Sequence, residues 1–223
     1  MAQDDDSFIR EVNEDMRSDF FKEMWRRYGR LIIAAAVLVV VGTAGRSGYD
    51  YYRTSQASAA GDTFLQAMKL ASDNKTDDAL AAFKSLETSG YGSYPVLARM
   101  RAATLTAEKG DLAAAIAAFK SIGTDASIPL AIRDTARLRA AFLMIDTAPY
   151  ADVAALVQDM AIPANAFRNS AREALGLSAY KTSDLKKARE WFQQIADDGQ
   201  APRNVVTRAQ MLLDLIAATG AAS

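Results

Sequence analysis

The 223-residue chain carries 26 basic and 27 acidic side chains, and half of it is hydrophobic, so it can form a sizeable core and disorder throughout is not expected. It has no Cys and no His, which excludes disulfides, thiol and imidazole nucleophiles, Cys/His zinc sites and ordinary haem ligation. From residue 49 onward, 19 acidic and 19 basic side chains are interspersed. We therefore expect no strongly positive surface that would bind nucleic acid or a strongly anionic substrate.

The first 28 residues predict an amphipathic helical arm. Apolar side chains recur every four residues, and mostly charged residues take the other side. The recurring apolar positions are Phe8, Val12, Met16, Phe20 and Met24. Docking on the cytosolic face of a partner, lying along lipid headgroups, and merely extending a membrane anchor all stay open, although the acidic polar face argues against strong lipid binding.

Residues 29–52 predict a transmembrane helix. The stretch 31–45 has no charge, and with its flanks the segment from Tyr28 to Tyr49 reaches about 32 Å as a helix, enough for a hydrocarbon layer of about 30 Å. Its eight Leu, Ile and Val side chains contribute roughly −2.4 to −4.8 kcal/mol to insertion. The predicted anchor residues are Leu31, Ile32, Ile33, Val37, Leu38, Val39, Val40 and Val41.

Two other interpretations of this segment stay open. A buried helix of a soluble protein is one, but such a helix is rarely apolar on every face beside a basic cluster and aromatic belts. A signal peptide cleaved near Gly42 and Ala44 is the other, although a charged leader of this length is unusual.

The basic residues around the segment predict its orientation. Lys22, Arg26, Arg27 and Arg30 precede it, whereas only two arginines follow closely. The positive-inside rule then places residues 1–28 in the cytoplasm and residues 53–223 in the periplasm, with the chain in the inner membrane of a Gram-negative cell as a single-pass protein.

The remainder of the chain predicts an all-α fold built from a helical repeat. The motif places Ala79, Ala115 and Ala188 four residues before a Phe, and a Leu or Ile follows three residues later. The steps between equivalent positions are 36 and 73 residues, so one degenerate unit is expected around residues 150–160. A small residue where two helices cross allows close packing, and the aromatic fills the space toward the next hairpin.

The predicted architecture is a solenoid of about four helical hairpins closed by a C-terminal capping helix. Gly110 and Asp111 supply one turn, Thr182 to Asp184 supply another, and Asp111 and Asp184 are expected to cap the helices that follow. The predicted hairpins pair 55–73 with 76–88, 93–109 with 111–123, 129–145 with 150–160, and 168–181 with 184–197, and the cap covers 203–218.

These triplets, together with Leu175-Gly176, resemble tetratricopeptide-like repeats. The arm FIREVNEDMRSDFFKEMWRRYGRLI, a single membrane helix, GYGSYPVLARMRAA and AREALGLSAYKTSDLKKAREWFQQIADD resemble, in this order, the YfgM-like ancillary SecYEG translocon subunits, and most closely their alphaproteobacterial type. The resemblance implies a periplasmic domain beside the SecYEG channel that works with a membrane-anchored, PpiD-like chaperone in handling exported polypeptides.

The first helices of the repeat supply the candidate partner-binding groove. By repeat position, six residues are expected to face the concave side, although ordinary core packing competes as an interpretation for the two methionines. These residues are Met68, Met100, Thr104, Glu173, Tyr180 and Lys181.

The predicted function is that of a non-enzymatic adaptor with no cofactor and no metal. The alternative is a general scaffold for envelope assembly, or a regulator that sequesters a cytosolic signalling protein through its arm. Catalysis is disfavoured because the carboxylate pairs Asp77/Asp78 and Asp197/Asp198 are sequence neighbours that point apart, and no phosphate loop or Ser/Lys dyad accompanies them.

Overall fold

The computed structural model describes residues 2–219, with the backbone alone over residues 2–21 and at 23. Within this range every regular element is helical, and the chain divides into two compact units, Met1–Ser58 and Ala59–Ser223. The helices are α1 (Ala2–Ser72), α2 (Thr76–Ser89), α3 (Tyr94–Glu108), α4 (Leu112–Thr124), α5 (Leu130–Met144), α6 (Tyr150–Val157), α7 (Arg168–Lys181), α8 (Leu185–Ala196) and α9 (Arg203–Ala218).

Helix α1 makes up the first unit and also contributes the first helix of the repeat. Residues 29–52 and 55–73, which the sequence predicts as two helices, lie in this one helix except for residue 73, which follows its end. The physical reason is that the chain has no proline before Pro95, and isolated glycines do not end a helix.

The second unit has the predicted hairpin order, and the all-α repeat fold is confirmed. The bounds of α7 and α9 coincide with the predicted ranges 168–181 and 203–218. The second helix of the third hairpin differs most, because α6 ends at Val157 and a 3-10 turn continues the chain to Met160. The degenerate third unit therefore lies where the repeat interval predicts it, but its second helix is shorter than predicted.

The repeated triplets form the core. Ala79, Ala115 and Ala188 are fully buried, and the phenylalanines and aliphatic residues that follow them are at most 3% exposed. In the third unit, Val153, Val157 and Met160 occupy the equivalent buried positions. These three residues keep the buried positions apolar, but none of them has an aromatic ring. This difference explains why the third unit is hard to recognise from the sequence.

Three of the turns inside hairpins share a left-handed residue at equivalent positions, Asn74, Gly110 and Ser183. The next residue is the N-cap of the second helix in each case. As predicted, Asp111 accepts a hydrogen bond from the Ala114 N–H at 3.0 Å, and Asp184 accepts one from the Lys187 N–H at 3.1 Å. Each carboxylate satisfies a backbone donor that the helix itself leaves unpaired.

Helix α9 is the predicted cap of the solenoid. Val205, Ala209 and Ile216 are buried against the last hairpin. Met211 and Leu215 remain exposed on another face of the same helix. The terminal helix thus covers the apolar end of the fourth hairpin, as a quasi-linear stack of repeats requires.

Candidate functional site

The first helices of successive hairpins are joined on one face by polar contacts, each donated by a cationic side chain to the preceding unit. Arg101 Nε on α3 lies 3.0 Å from Met68 Sδ on α1. One unit later, Arg139 Nη1 on α5 donates to Thr104 Oγ1 on α3 over 3.3 Å. The contacts place this face of the first helices side by side along the domain.

The series continues in the C-terminal half of the domain, where the acceptors are carboxylates. Lys181 Nζ on α7 lies 3.0 Å from Asp146 Oδ1, which follows α5. Arg208 on α9 makes a two-pronged contact with the buried Glu173 on α7, with distances of 2.5 and 2.9 Å. The hydrogen bond to this carboxylate raises the pKa of the Arg208 guanidinium. We call the surface that carries all four contacts the first-helix face.

The structure brings the six predicted groove residues to first helices, and four of them take part in this series: Met68, Thr104, Glu173 and Lys181. The other two are half-buried. Met100 packs against the core of the second and third hairpins, and Tyr180 packs against that of the fourth hairpin and α9. Met68 also packs against the core that the first hairpin forms with α3, so both methionines serve partly as core residues.

Sequence reasoning missed Phe142, which is 39% exposed on α5. It occupies the position equivalent to Met68 and Thr104, at steps of 36 and 38 residues. The signal that could have found it is the triplet Val153, Val157 and Met160, which sets the register of the third hairpin once an aliphatic replacement of the Phe is allowed. Leu65 and Leu97, also on first helices, are 66% and 40% exposed.

A second feature that sequence reasoning missed is an arginine at the same position of three first helices. Arg99 Nη1 lies 3.0 Å from Asp125 Oδ2, and Arg172 Nη1 lies 3.3 Å from Asp198 Oδ2. In both pairs the aspartate comes 26 residues after the arginine. We call these pairs the hairpin clamps, because each joins the first helix of a hairpin to the end of its second helix.

The third hairpin has a modified clamp. Arg137 Nε donates to the Leu156 carbonyl over 2.7 Å, and the same guanidinium contacts Asp159 and Asp134. The clamp therefore survives where the repeat motif itself is degenerate. The basic side chains of these first helices are in part structural.

The pKa values of the two clamp aspartates are lowered, mainly by hydrogen bonds from residues outside the clamps. The pKa of Asp125 falls from 3.8 to about 2, because it accepts hydrogen bonds from Ser127 and Arg99. The pKa of Asp198 is also lowered, chiefly by its hydrogen bond to Arg168, with Gln200 and Asn169 adding to the effect. Hydrogen bonds to the charged form stabilise it, so both side chains are ionised at neutral pH.

The second helices carry side-chain contacts of their own and one surface depression. Trp191 Nε1 on α8 donates to Tyr150 Oη on α6 over 3.0 Å, and Lys187 Nζ lies 4.7 Å from the centre of the same ring. A shallow depression of about 510 Å³ lies on α8 and is lined by Arg189, Glu190, Gln193, Gln194 and Asp197. One helix alone forms it, and none of the predicted groove residues lines it.

Within the first unit, the predicted anchor residues from Leu31 to Val41 are 43 to 74% exposed. The stretch is part of Met24–Ser72, the one helix among the described residues that is long and apolar enough to cross a membrane, and none of its apolar window is buried. Trp25 and Tyr28 flank it on one side, and Tyr49 on the other. Most side chains of the predicted arm, residues 1–21 and 23, lie outside the described residues.

The acidic side chains of the described residues form no cluster that could serve as a metal site. The carboxylates buried in the repeat domain pair with arginines of the same domain. The fold and its surfaces define a helical-hairpin repeat protein with one candidate membrane span.

The comparison with protein families agrees with this class. The model of the tetratricopeptide repeat-like domain matches residues 22–218, and the chain belongs to this family. No curated protein matches the sequence. Repeats of this kind typically form non-catalytic scaffolds whose extended surfaces bind other proteins.

Proposed function

We propose that this chain is a membrane-anchored adaptor that presents its repeat domain in the periplasm, beside the SecYEG channel, and binds partner proteins there. In this proposal residues 1–28 are the cytoplasmic arm, residues 29–52 span the inner membrane, and residues 53–223 form the periplasmic domain. The partners are the channel and a membrane-anchored, PpiD-like chaperone, and the role is to assist exported polypeptides.

One observation carries the proposal: an apolar helical stretch of which no part is buried directly precedes the hairpins of a repeat family that typically binds proteins. Exposed apolar side chains over such a length are stable in lipid and unfavourable in water. The order of arm, membrane helix and repeat, which resembles the ancillary translocon subunits, supports the choice of the export channel. The excess of basic residues before the span supports the orientation.

The orientation is tested by fusing a reporter after Ser223 that is active only in the periplasm. Activity of this fusion, with protease sensitivity of the repeat domain in intact spheroplasts, is expected. Protection of the domain until the spheroplasts are lysed would rule out the periplasmic location. Release of the chain by carbonate washing would rule out the membrane anchor.

The partners are tested by placing a photo-crosslinking residue on the first-helix face, at Leu65 or Phe142, in intact membranes. We expect channel subunits or a periplasmic chaperone to be enriched over the same residue placed at Glu190 on α8. Equal recovery from both positions, or no enrichment over an unrelated single-span protein, would contradict the translocon proposal.

The amphipathic pattern of residues 8–24 favours a second candidate, in which the arm holds a cytosolic signalling protein. The same topology also suits a general scaffold for envelope assembly. Deleting residues 1–24 separates the arm from the repeat domain. Loss of partner recovery from this deletion, with no loss from removal of the repeat domain, would favour the cytosolic candidate.

A further inference from the structure

The segments that join the helices of the second unit fall into two sets at opposite ends of the hairpins, because the two helices of a hairpin run antiparallel. One set joins the two helices within a hairpin, and we call it the turn edge. It consists of residues 73–75, 109–111, 145–149 and 182–184. The other set leads from each hairpin to the next first helix or to α9, and we call it the loop edge. It consists of residues 90–93, 125–129, 161–167 and 197–202.

Side-chain contacts hold the loop edge against the beginnings of the first helices. Asn165 Nδ2, in the third connection, donates to Asp134 Oδ2 near the start of α5 over 3.4 Å. Arg168, the first residue of α7, donates from Nε to Asp198 Oδ2 in the fourth connection over 2.6 Å. The connections are therefore packed parts of the domain with a fixed position along it.

The chain enters the second unit at the loop edge. A Cβ at Gly61 would lie 2.8 Å from the hydroxyl oxygen of Tyr94, the first residue of α3, and the rings of Phe64 and Tyr94 are 5.8 Å apart. Ala59 begins the unit and follows the predicted span, residues 29–52, by seven residues. Seven residues reach about 10 Å as a helix and at most about 25 Å fully extended. Of the two edges, the loop edge is therefore the one tethered next to the span.

The two edges differ in charge. The turn edge has six charged residues in 14 positions, whereas the loop edge has three in 22 and none of them is basic. Those three are Asp125, Asp197 and Asp198, and the first and last are paired with arginines. Little unpaired charge is thus left on the loop edge to hold it in water.

Exposed apolar side chains stand at two connections of the loop edge. Leu130, directly after the second connection, is 60% exposed, and Ile162 in the third connection is 54% exposed. Each adjoins an exposed proline, Pro129 or Pro163. A proline has no backbone N–H that would lose its hydrogen bond to water on leaving it. Both connections therefore combine apolar side chains with a backbone that has fewer donors to desolvate.

We propose that the loop edge rests on the surface of the bilayer that residues 29–52 span, with Leu130 and Ile162 inserted at the level of the headgroups. The inference rests on the proposed function, which supplies the membrane anchor. Lipid is the occupant because the tether holds this edge next to the bilayer and because the edge is apolar and has no basic residue. Insertion then depends on apolar burial and does not require anionic lipid.

The test uses the full chain in phosphatidylcholine vesicles that contain a lipid with a nitroxide quencher near its headgroup. The chain has no cysteine, so one introduced cysteine carries a fluorescent label at a chosen site. Ala164→Cys places the label on the loop edge at an exposed position. Leu112→Cys is the control, because Leu112 is a 40% exposed leucine that begins α4 beside the turn edge. We expect the label at 164 to be quenched at least about twofold more than the label at 112.

The double variant Leu130→Gln/Ile162→Gln is expected to reduce quenching at Ala164→Cys to the level of the turn edge, because it removes the apolar side chains that insert. Leu112→Gln/Leu215→Gln is the matched control, since it replaces two exposed leucines outside the loop edge. It should leave the quenching unchanged. Exchanging part of the phosphatidylcholine for phosphatidylglycerol should not raise it. The thermal unfolding midpoint of each variant shows whether it is folded.

Equal quenching at positions 164 and 112, an equal loss in the matched control, or quenching that requires anionic lipid would overturn the inference. So would a label at 164 that stays in water in the vesicles while a crosslinker at the same position captures a protein in cell membranes. In that case the loop edge binds a protein and not lipid.

The proposed function has a separate readout. Release of the chain by carbonate washing would refute the membrane anchor itself. A chain that resists carbonate washing but keeps its loop-edge label in water would refute only this inference and leave the proposed function standing.

Discussion

Arg99 Nη1 donates to Asp125 Oδ2 over 3.0 Å and so joins the first helix of the second hairpin to the residue that follows its second helix. The pair Arg172 and Asp198 repeats this relationship, and each member lies 73 residues after its counterpart. The interval equals that between Ala115 and Ala188 in the core. The polar contact is therefore part of the repeat unit, as the buried triplet is.

The hydrogen bonds that Asp125 accepts from Ser127 and Arg99 predict an acid-sensitive contribution to stability. The pKa of Asp125 is about 2 in the folded chain, below its ordinary value of 3.8, so the folded state binds this proton less readily than the unfolded state. The stabilisation is therefore complete above pH 3.8 and is lost as the pH falls through about 2. We expect the thermal midpoint of the wild type to approach that of Asp125→Asn over this window.

The measurement follows the fluorescence of Trp191 in a Trp25→Phe background, since the chain has two tryptophans and Trp191 reports on the repeat domain. The exposed Asp152→Asn is a control in which the carboxylate is outside the clamp. If the difference in thermal midpoint between wild type and Asp125→Asn stays constant from pH 3.8 to 2, the ionised Asp125 side chain is not the source of the acid-sensitive stability.

The close approach of α7 and α8 predicts that Gly176 tolerates no side chain. A Cβ at this position would lie 2.6 to 3.0 Å from three carbons of the buried Phe192 ring. Gly176→Ala is expected to cost about 1 to 3 kcal/mol, because the packed core has to shift. Gly199→Ala, where a Cβ meets no atom within 4 Å, is the control and should be close to neutral.

Replacing the ring tests the cause of this cost. Phe192→Leu leaves room beside position 176, so the double variant should lose less stability than the sum of the two single variants. Urea titrations of the four proteins measure the interaction energy. Simple additivity would show that the Phe192 ring is not the obstacle.

The contact between Glu173 and Arg208 predicts how α9 is held on the domain. Glu173 is 7% exposed, and both of its carboxylate oxygens accept from Arg208. Glu173→Gln removes a charge-assisted pair and is expected to cost about 1 to 3 kcal/mol. In Glu173→Gln we expect faster hydrogen exchange that is confined to residues 203–218. The control is Asp214→Asn, on the exposed side of α9, which should show the same hydrogen exchange as the wild type.

The apolar stretch predicts that charge within it prevents membrane insertion. Each arginine near the centre of a membrane helix costs about 2.5 to 3.5 kcal/mol, so Leu38→Arg/Val40→Arg outweighs the roughly −2.4 to −4.8 kcal/mol from the aliphatic residues. We expect carbonate washing to release this variant and not Leu38→Ala/Val40→Ala. Equal retention of the two variants would argue against a spanning helix.

Most of the repeat could be predicted from the sequence because its signals are local. The bounds of α7 and α9 and the caps at Asp111 and Asp184 follow from apolar period, turn residues and capping residues that lie within a few positions of one another. The third hairpin was predicted from spacing alone. Its register was not predicted, because Val153 and Val157 stand where the other three units have an alanine and a phenylalanine.

What the sequence by itself determined is the helical class, the interval of the repeat and the apolar stretch ahead of it, since periodicity and hydropathy act over one or two turns of helix. Only the tertiary structure decided which basic side chains are paired with carboxylates. Arg99 and Arg172 reach aspartates 26 residues away, whereas Arg101, two positions from Arg99, reaches a thioether on another hairpin. Such contacts depend on how neighbouring helices stack, and sequence spacing does not specify that geometry.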